Sequence, residues 1–146
     1  MLLAEKIDTF VQQVLRRAEN QSELLIGTCQ SEVKMTSTQE HILMLLQEEN
    51  LTNTELAKRL HVTQAAVTKA VKLLVSEGML EPLKNKVDAR QTHFSLTAKA
   101  LPIAKEHQAH HEKTLAVYKT LVSRFSKEEV RVIDRFISDL LDVLEE

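Results

Sequence analysis

Only two glycines and two prolines interrupt a chain of 146 residues, so long helices are the default and each break is informative. With few aromatic residues (3%) and many Leu, Ala, Lys and Glu, such a chain reads as mainly α. Apolar positions at helical spacing (Ile7, Phe10, Val11, Val14, Leu15, Ala18) predict a long amphipathic helix over about residues 3–26, with Gly27 as its stop. Thr36-Ser37-Thr38-Gln39-Glu40 is capping chemistry placed before Ile42, Leu43, Leu45 and Leu46, and Glu48-Glu49-Asn50 closes that second helix. Further on, Thr97 reads as the cap of a helix running to about residue 123, with Pro102 tolerated near its start. Ser126 with Glu129 three residues later forms a capping box for a last helix, apolar at Val130, Ile133, Phe136, Ile137, Leu140, Leu141 and Leu144.

Between these helices the pattern changes. Thr52 to Leu60 predicts a short helix with its own cap, and after His61-Val62 a second one opens at Thr63. Ala66, Val67, Ala70, Val71, Leu74 and Val75 are its expected inward face, and Gly78 ends it. Met79–Leu83 and Gln91–Leu96 read as two short strands around a polar turn from Lys84 to Arg90. Two short helices with a tight turn, followed by a hairpin, make a winged helix-turn-helix. The net charge of −2 does not by itself invite nucleic acid. Its distribution is more telling: residues 54–91 hold seven basic side chains against four acidic ones, a local +3 that leaves −5 for the rest.

The exposed side of the second short helix would then face DNA through Thr63, Gln64, Ala65, Thr68, Lys69 and Lys72. Gln suits adenine, Ala a thymine methyl, and Lys guanine or phosphate. Arg90 at the wing tip suits a narrow minor groove. The residues Leu56-Ala57, Val67-Thr68-Lys69, Leu73-Leu74, Gly78-Met79-Leu80 and Asp88-Ala89-Arg90 with Leu96-Thr97 resemble the helix-turn-helix core and wing signature of MarR-family regulators. That resemblance implies a single MarR-type domain over 1–146, with 36–97 as the DNA-binding region and 1–35 with 98–146 as a helical dimerisation region. It further implies a homodimer on a pseudo-palindromic double-stranded operator.

Six histidines are present: His41, His61, His93, His107, His110 and His111. His107 and His111 lie four apart on a predicted helix, so both rings share one face and offer half of a zinc site. His110 lies about 100° further round and is expected in solvent, while His61 and His93 read as structural or phosphate-facing. His41 beside Glu40, and Glu23 six residues before Cys29, can reach that pair only through tertiary packing. Thr38 to Leu46, Ala18-Glu19-Asn20-Gln21 with Glu23 and Cys29, and Glu106-His107 with His110-His111-Glu112 resemble the zinc-responsive AdcR/ZitR branch of the MarR family over nearly the whole chain. The resemblance implies a primary zinc site of Glu23, His41, His107 and His111. It also implies a secondary, weaker site of Cys29, Glu40 and Glu106 completed by water, giving two sites per protomer. The function implied is repression of zinc-uptake genes with the metal as corepressor.

Two rivals stand beside it. One is a MarR-type regulator that senses an organic ligand or an oxidant through Cys29 without metal. The other is a zinc hydrolase, against which stands the lack of an HExxH arrangement, a glycine-rich phosphate loop or a nucleophile motif. On the favoured reading no organic ligand is expected. A single cysteine excludes an internal disulfide framework. No run approaches the roughly 18 apolar residues of a membrane span, and the first residues lack the pattern of a signal peptide, so no membrane partner and a cytoplasmic location are expected.

Overall fold

The computed structural model describes residues 2–18, 35–84 and 92–145. In chain order these form α1 (Leu3–Ala18), α2 (Ser37–Glu48), α3 (Asn53–Leu60), α4 (Gln64–Ser76), β1 (Leu80–Lys84), β2 (Thr92–Leu96), α5 (Leu101–Val122) and α6 (Lys127–Glu145). The chain divides into two compact units, residues 1–111 and 112–146, with the division falling inside α5.

Threonine starts three of the helices that build the first unit's core. Thr36, Thr52 and Thr63 are in extended conformation, and each hydroxyl accepts from the backbone N–H three residues on, at Gln39, Glu55 and Ala66. At Thr36 the box is reciprocal, because the Gln39 side chain accepts in turn from the Thr36 N–H at 3.0 Å. Helices α3 and α4 end alike, each with the paired bonds of a Schellman motif. At the end of α3, Val62 N–H donates to the Ala57 carbonyl and His61 N–H to Lys58. At the end of α4, Met79 N–H donates to Leu74 and Gly78 N–H to Val75. Such an ending needs one left-handed residue. Gly78 supplies it at φ 74° without steric cost, whereas His61 holds φ 54° with a Cβ in place.

The two motifs turn the chain twice, and the hydrophobic period decides what packs inside. Ile42, Leu43 and Leu46 of α2, Leu56 and Ala57 of α3, and Val67, Ala70, Val71 and Leu74 of α4 form one core with Met79, Leu80, Ala100, Ile103 and Ala104. Ala66, expected to face inward, is exposed. The buried stripe of α4 follows 67, 70, 71 and 74, and position 66 lies about 40° beyond its edge at Ala70.

The strands pair antiparallel in the register Leu80↔Leu96, Pro82↔Phe94 and Lys84↔Thr92. Phe94 and Leu96 close the hairpin's inner face on the core. Pro82 is tolerated because a two-stranded ribbon consists only of edges. The turn that joins the strands, including Arg90, lies outside the described residues.

Thr97 is not the side-chain cap expected of it. Its hydroxyl donates to the Gly78 carbonyl at 2.6 Å, and its N–H to Met79 at 3.1 Å. Both groups are therefore committed to the base of the hairpin, where the strands leave the end of α4. Only the Thr97 carbonyl serves the next element, accepting from Ala100 and Leu101, and α5 starts at Leu101 with Pro102 in its first turn.

No residue of α1 or α6 is buried. In the second unit, Ser126 and Glu129 form the expected box, with the Ser126 N–H on Glu129 at 2.8 Å and the Glu129 N–H on Ser126 Oγ at 3.2 Å. Val132, Ile133, Phe136 and Ile137 of α6 are all exposed.

Candidate metal centre and nucleic-acid interface

Burying one face of α4 leaves the opposite one to solvent. Gln64, Ala65, Thr68, Lys69 and Lys72 are all exposed, and their spacing keeps them on the outer surface from the N-terminus onward. Thr63 is exposed as well; its Oγ1 accepts from the Ala66 N–H at 3.1 Å and keeps its own proton to give. The Gln64 carboxamide leans back toward the preceding helix, where its Nε2 donates to Thr54 Oγ1 at 3.2 Å. Thr54 was not among the residues singled out from the sequence, since nothing local marks it. On α3, Arg59 pairs with Glu49 at 2.7 Å with about half of each side chain in water. Arg90 cannot be placed, because it lies outside the described residues.

The histidines gather where α2 crosses the first half of α5. The His41 ring lies 4.3 Å from that of His107 and 6.0 Å from that of His111, both edge-on. His107 is fully enclosed, and His41 and His111 are half-buried. The i, i+4 pair does share a face, and α2 supplies the third imidazole to it.

The tautomers follow from the neighbours. His107 Nδ1 lies 3.1 Å from a carboxylate oxygen of Glu40, itself only 3% exposed. His41 Nδ1 lies 2.7 Å from the Ser37 carbonyl, with the Ser37 hydroxyl at 3.3 Å. Carboxylate and carbonyl only accept, so each neutral ring keeps its proton on Nδ1 and has its lone pair on Nε2. Histidines that bind metals are held in this way, with the second nitrogen donating to a carboxylate or backbone carbonyl.

Among the described residues, no three His, Cys, Asp or Glu side chains already surround a point suited to a metal ion. The His41 ring packs T-shaped against those of His107 and His111, and Glu23 and Cys29 lie outside the described residues. As chemistry the donor set fits zinc, with imidazole nitrogens whose proton is fixed elsewhere and carboxylates close by. Glu40, expected among the residues of the second site, touches His107, which is expected in the first. Glu106 is half-buried on α5.

A second link ties the same crossing, from Gln108 Nε2 to Glu48 Oε1 at 2.7 Å. His110, expected in solvent, is half-buried. His93 is half-buried on β2 opposite Leu83, and His61 is the exposed left-handed residue of the helix-turn-helix turn.

Residues 35–92 match the model of the MarR family. The chain is 54% identical to the transcriptional regulator AdcR of Streptococcus pyogenes, over 98% of this chain and 97% of that protein. It is 48% identical to the transcriptional regulator ZitR of Lactococcus lactis, over 97% and 98%. Among solved structures, L. lactis ZitR in complex with DNA superposes with a TM-score of 0.80 at 47% identity, over 99% of both chains. Zinc-dependent AdcR in the Zn(II)-bound state superposes at 0.71 with 54% identity, again over 99% of both. With such identities over almost its whole length, the chain belongs to the MarR family, among the AdcR and ZitR transcriptional regulators.

Proposed function

We propose that this chain is a transcriptional repressor that binds a pseudo-palindromic duplex operator more tightly when zinc is bound. The observation that carries the reading is the junction of α2 and α5, where His41 meets His107 and His111 with the protons of His41 and His107 held on Nδ1. The relatives are regulators of transcription, which sets the hydrolase reading aside.

His41, His107 and His111, with Glu23, would hold the primary ion; Cys29, Glu40 and Glu106 would hold a second, weaker one, making two per protomer. Zinc, when bound, supplies a cross-link between nitrogen and oxygen ligands from separate segments. Glu40 and Ser37 orient the rings. His41 is the mechanical link, because α2 ends at Glu48 and α3 begins at Asn53. A constraint on α2 is therefore handed to the helix-turn-helix within four residues. Thr63, Gln64, Ala65, Thr68, Lys69 and Lys72 would enter the major groove and Arg90 the minor groove. Residues 36–97 form the reading head on this view, and the apolar exposed faces of α1 and α6 support their use between two copies of the chain. The targets would be zinc-uptake genes, and the place of action the cytoplasm.

The test is binding of purified protein to operator DNA with zinc added and then chelated, beside His41→Ala. Zinc should tighten binding at least about tenfold, with His41→Ala losing that gain; linkage then requires DNA to tighten zinc by the same factor. Equal binding with and without metal would defeat the corepressor role and return attention to Cys29 or an organic ligand.

A further inference from the structure

The contact between Gln64 and Thr54 carries a consequence for sequence reading. It rests on the reading above that Gln64 faces a base. A carboxamide has two nearly isosteric ends, and rotating it by 180° exchanges an acceptor for donors. With Nε2 turned back to Thr54, Gln64 presents Oε1 and its remaining N–H outward, an acceptor beside a donor. That pair matches adenine, whose groove edge offers the N6 amino donor and the N7 acceptor. Turned the other way, with Oε1 toward Thr54, Gln64 presents only N–H groups, which match the O6 and N7 acceptors of guanine. The orientation of one amide thus chooses between two purines.

Thr54 alone, with a hydroxyl able to give or accept, would tolerate either orientation. The helix-turn-helix geometry removes that ambiguity. In this architecture the first helix crosses the DNA backbone, and Thr54 stands exposed in the first turn of α3. A phosphate oxygen only accepts. Once the Thr54 O–H is given to phosphate, its oxygen can only accept from Gln64, and Nε2 must face it. We propose that Thr54 is a positioning residue for specificity: it locks the Gln64 carboxamide in the adenine-reading orientation, with its own proton on an operator phosphate.

The experiment uses the zinc-loaded protein and duplexes first selected from a random library by the wild type. Each A·T pair of a half-site is then exchanged for G·C, and the ratio of the two Kd values is measured for wild type, Gln64→Ala, Thr54→Ala, Thr54→Ser and the double alanine variant. At one position the wild type should prefer adenine by about tenfold or more, the range of a good bidentate contact. Gln64→Ala should bring that ratio to within about twofold. Thr54→Ala should bring it to within about threefold by freeing the amide to turn, whereas Thr54→Ser, which keeps the hydroxyl, should retain it. In the double variant, loss of Thr54 should change the ratio no further.

If Thr54→Ala keeps the wild-type ratio where Gln64→Ala loses it, the positioning role is refuted while base reading by Gln64 stands. A uniform weakening by Thr54→Ala on every sequence also refutes it, and reduces Thr54 to a phosphate contact. If Gln64→Ala alters no position, the base-reading assignment falls and this inference with it.

Discussion

Replacing Glu40 by alanine tests the proposed metal centre without removing a histidine. In the folded chain the Glu40 and His107 side chains are 4% and 0% exposed, 3.1 Å apart and 67 residues apart in sequence. The carboxylate holds the His107 proton on Nδ1 and so places the ring's lone pair on Nε2. Losing such a partner typically weakens metal binding 10–100-fold, about 1.4–2.7 kcal/mol. Glu40→Gln keeps a carbonyl acceptor in place and should cost no more than about threefold. Both are measured by competition with a chromophoric zinc chelator, on apo-protein whose fold is verified by circular dichroism. Without zinc, the alanine variant should also melt earlier, because a buried N–H that has lost its acceptor costs about 1–3 kcal/mol. Stoichiometry separates the two roles proposed for Glu40. Loss of a second zinc equivalent in both variants reports its part in the weaker site, whereas weakening of the tighter site reports its hold on His107. An alanine variant whose tighter site stays within about twofold of wild type would refute the orienting role.

Other perturbations test the frame that carries the site. Leu74 is fully enclosed, so Leu74→Ala should cost about 3 kcal/mol and lower the melting midpoint by about 10 °C; a shift below about 2 °C would contradict the core described. His61 occupies a left-handed conformation, so His61→Gly should leave stability unchanged or raise it by up to about 1 kcal/mol, while His61→Val should lower it by at least that much in denaturant titrations. Ile137→Glu changes an exposed apolar position of α6, so sedimentation should show dissociation to single chains with helix content retained. An unchanged dimer would exclude that face from the interface.

Much of this molecule is written locally. Three threonine caps, the Ser126–Glu129 box and Gly78 each act within a few residues, and their partners follow from backbone geometry alone. The order of short helix, turn, short helix and hairpin is visible for the same reason, as is the shared face of His107 and His111. Where a side chain had a choice of partners, local pattern was a poor guide. Thr97 has capping chemistry, yet the strand pairing before it brings the Gly78 carbonyl within 2.6 Å, and its hydroxyl goes there. Ala66 fits an apolar period but falls just off the buried stripe.

The contacts that make a site are of the second kind. Periodicity says that α2 and α5 each have an apolar face, but not at which residue those faces cross. That crossing is fixed by how the side chains of the whole core fill space, and a one-turn slip would separate Glu40 from His107 by about 5 Å. Sequence by itself therefore determined the elements, the exposed face of α4 and the shared face of His107 and His111. Only the tertiary packing decided that His41 meets His107, that Glu40 holds its proton, and that Gln64 leans on Thr54, because short directional contacts depend on the rigid placement of helices that no local pattern encodes.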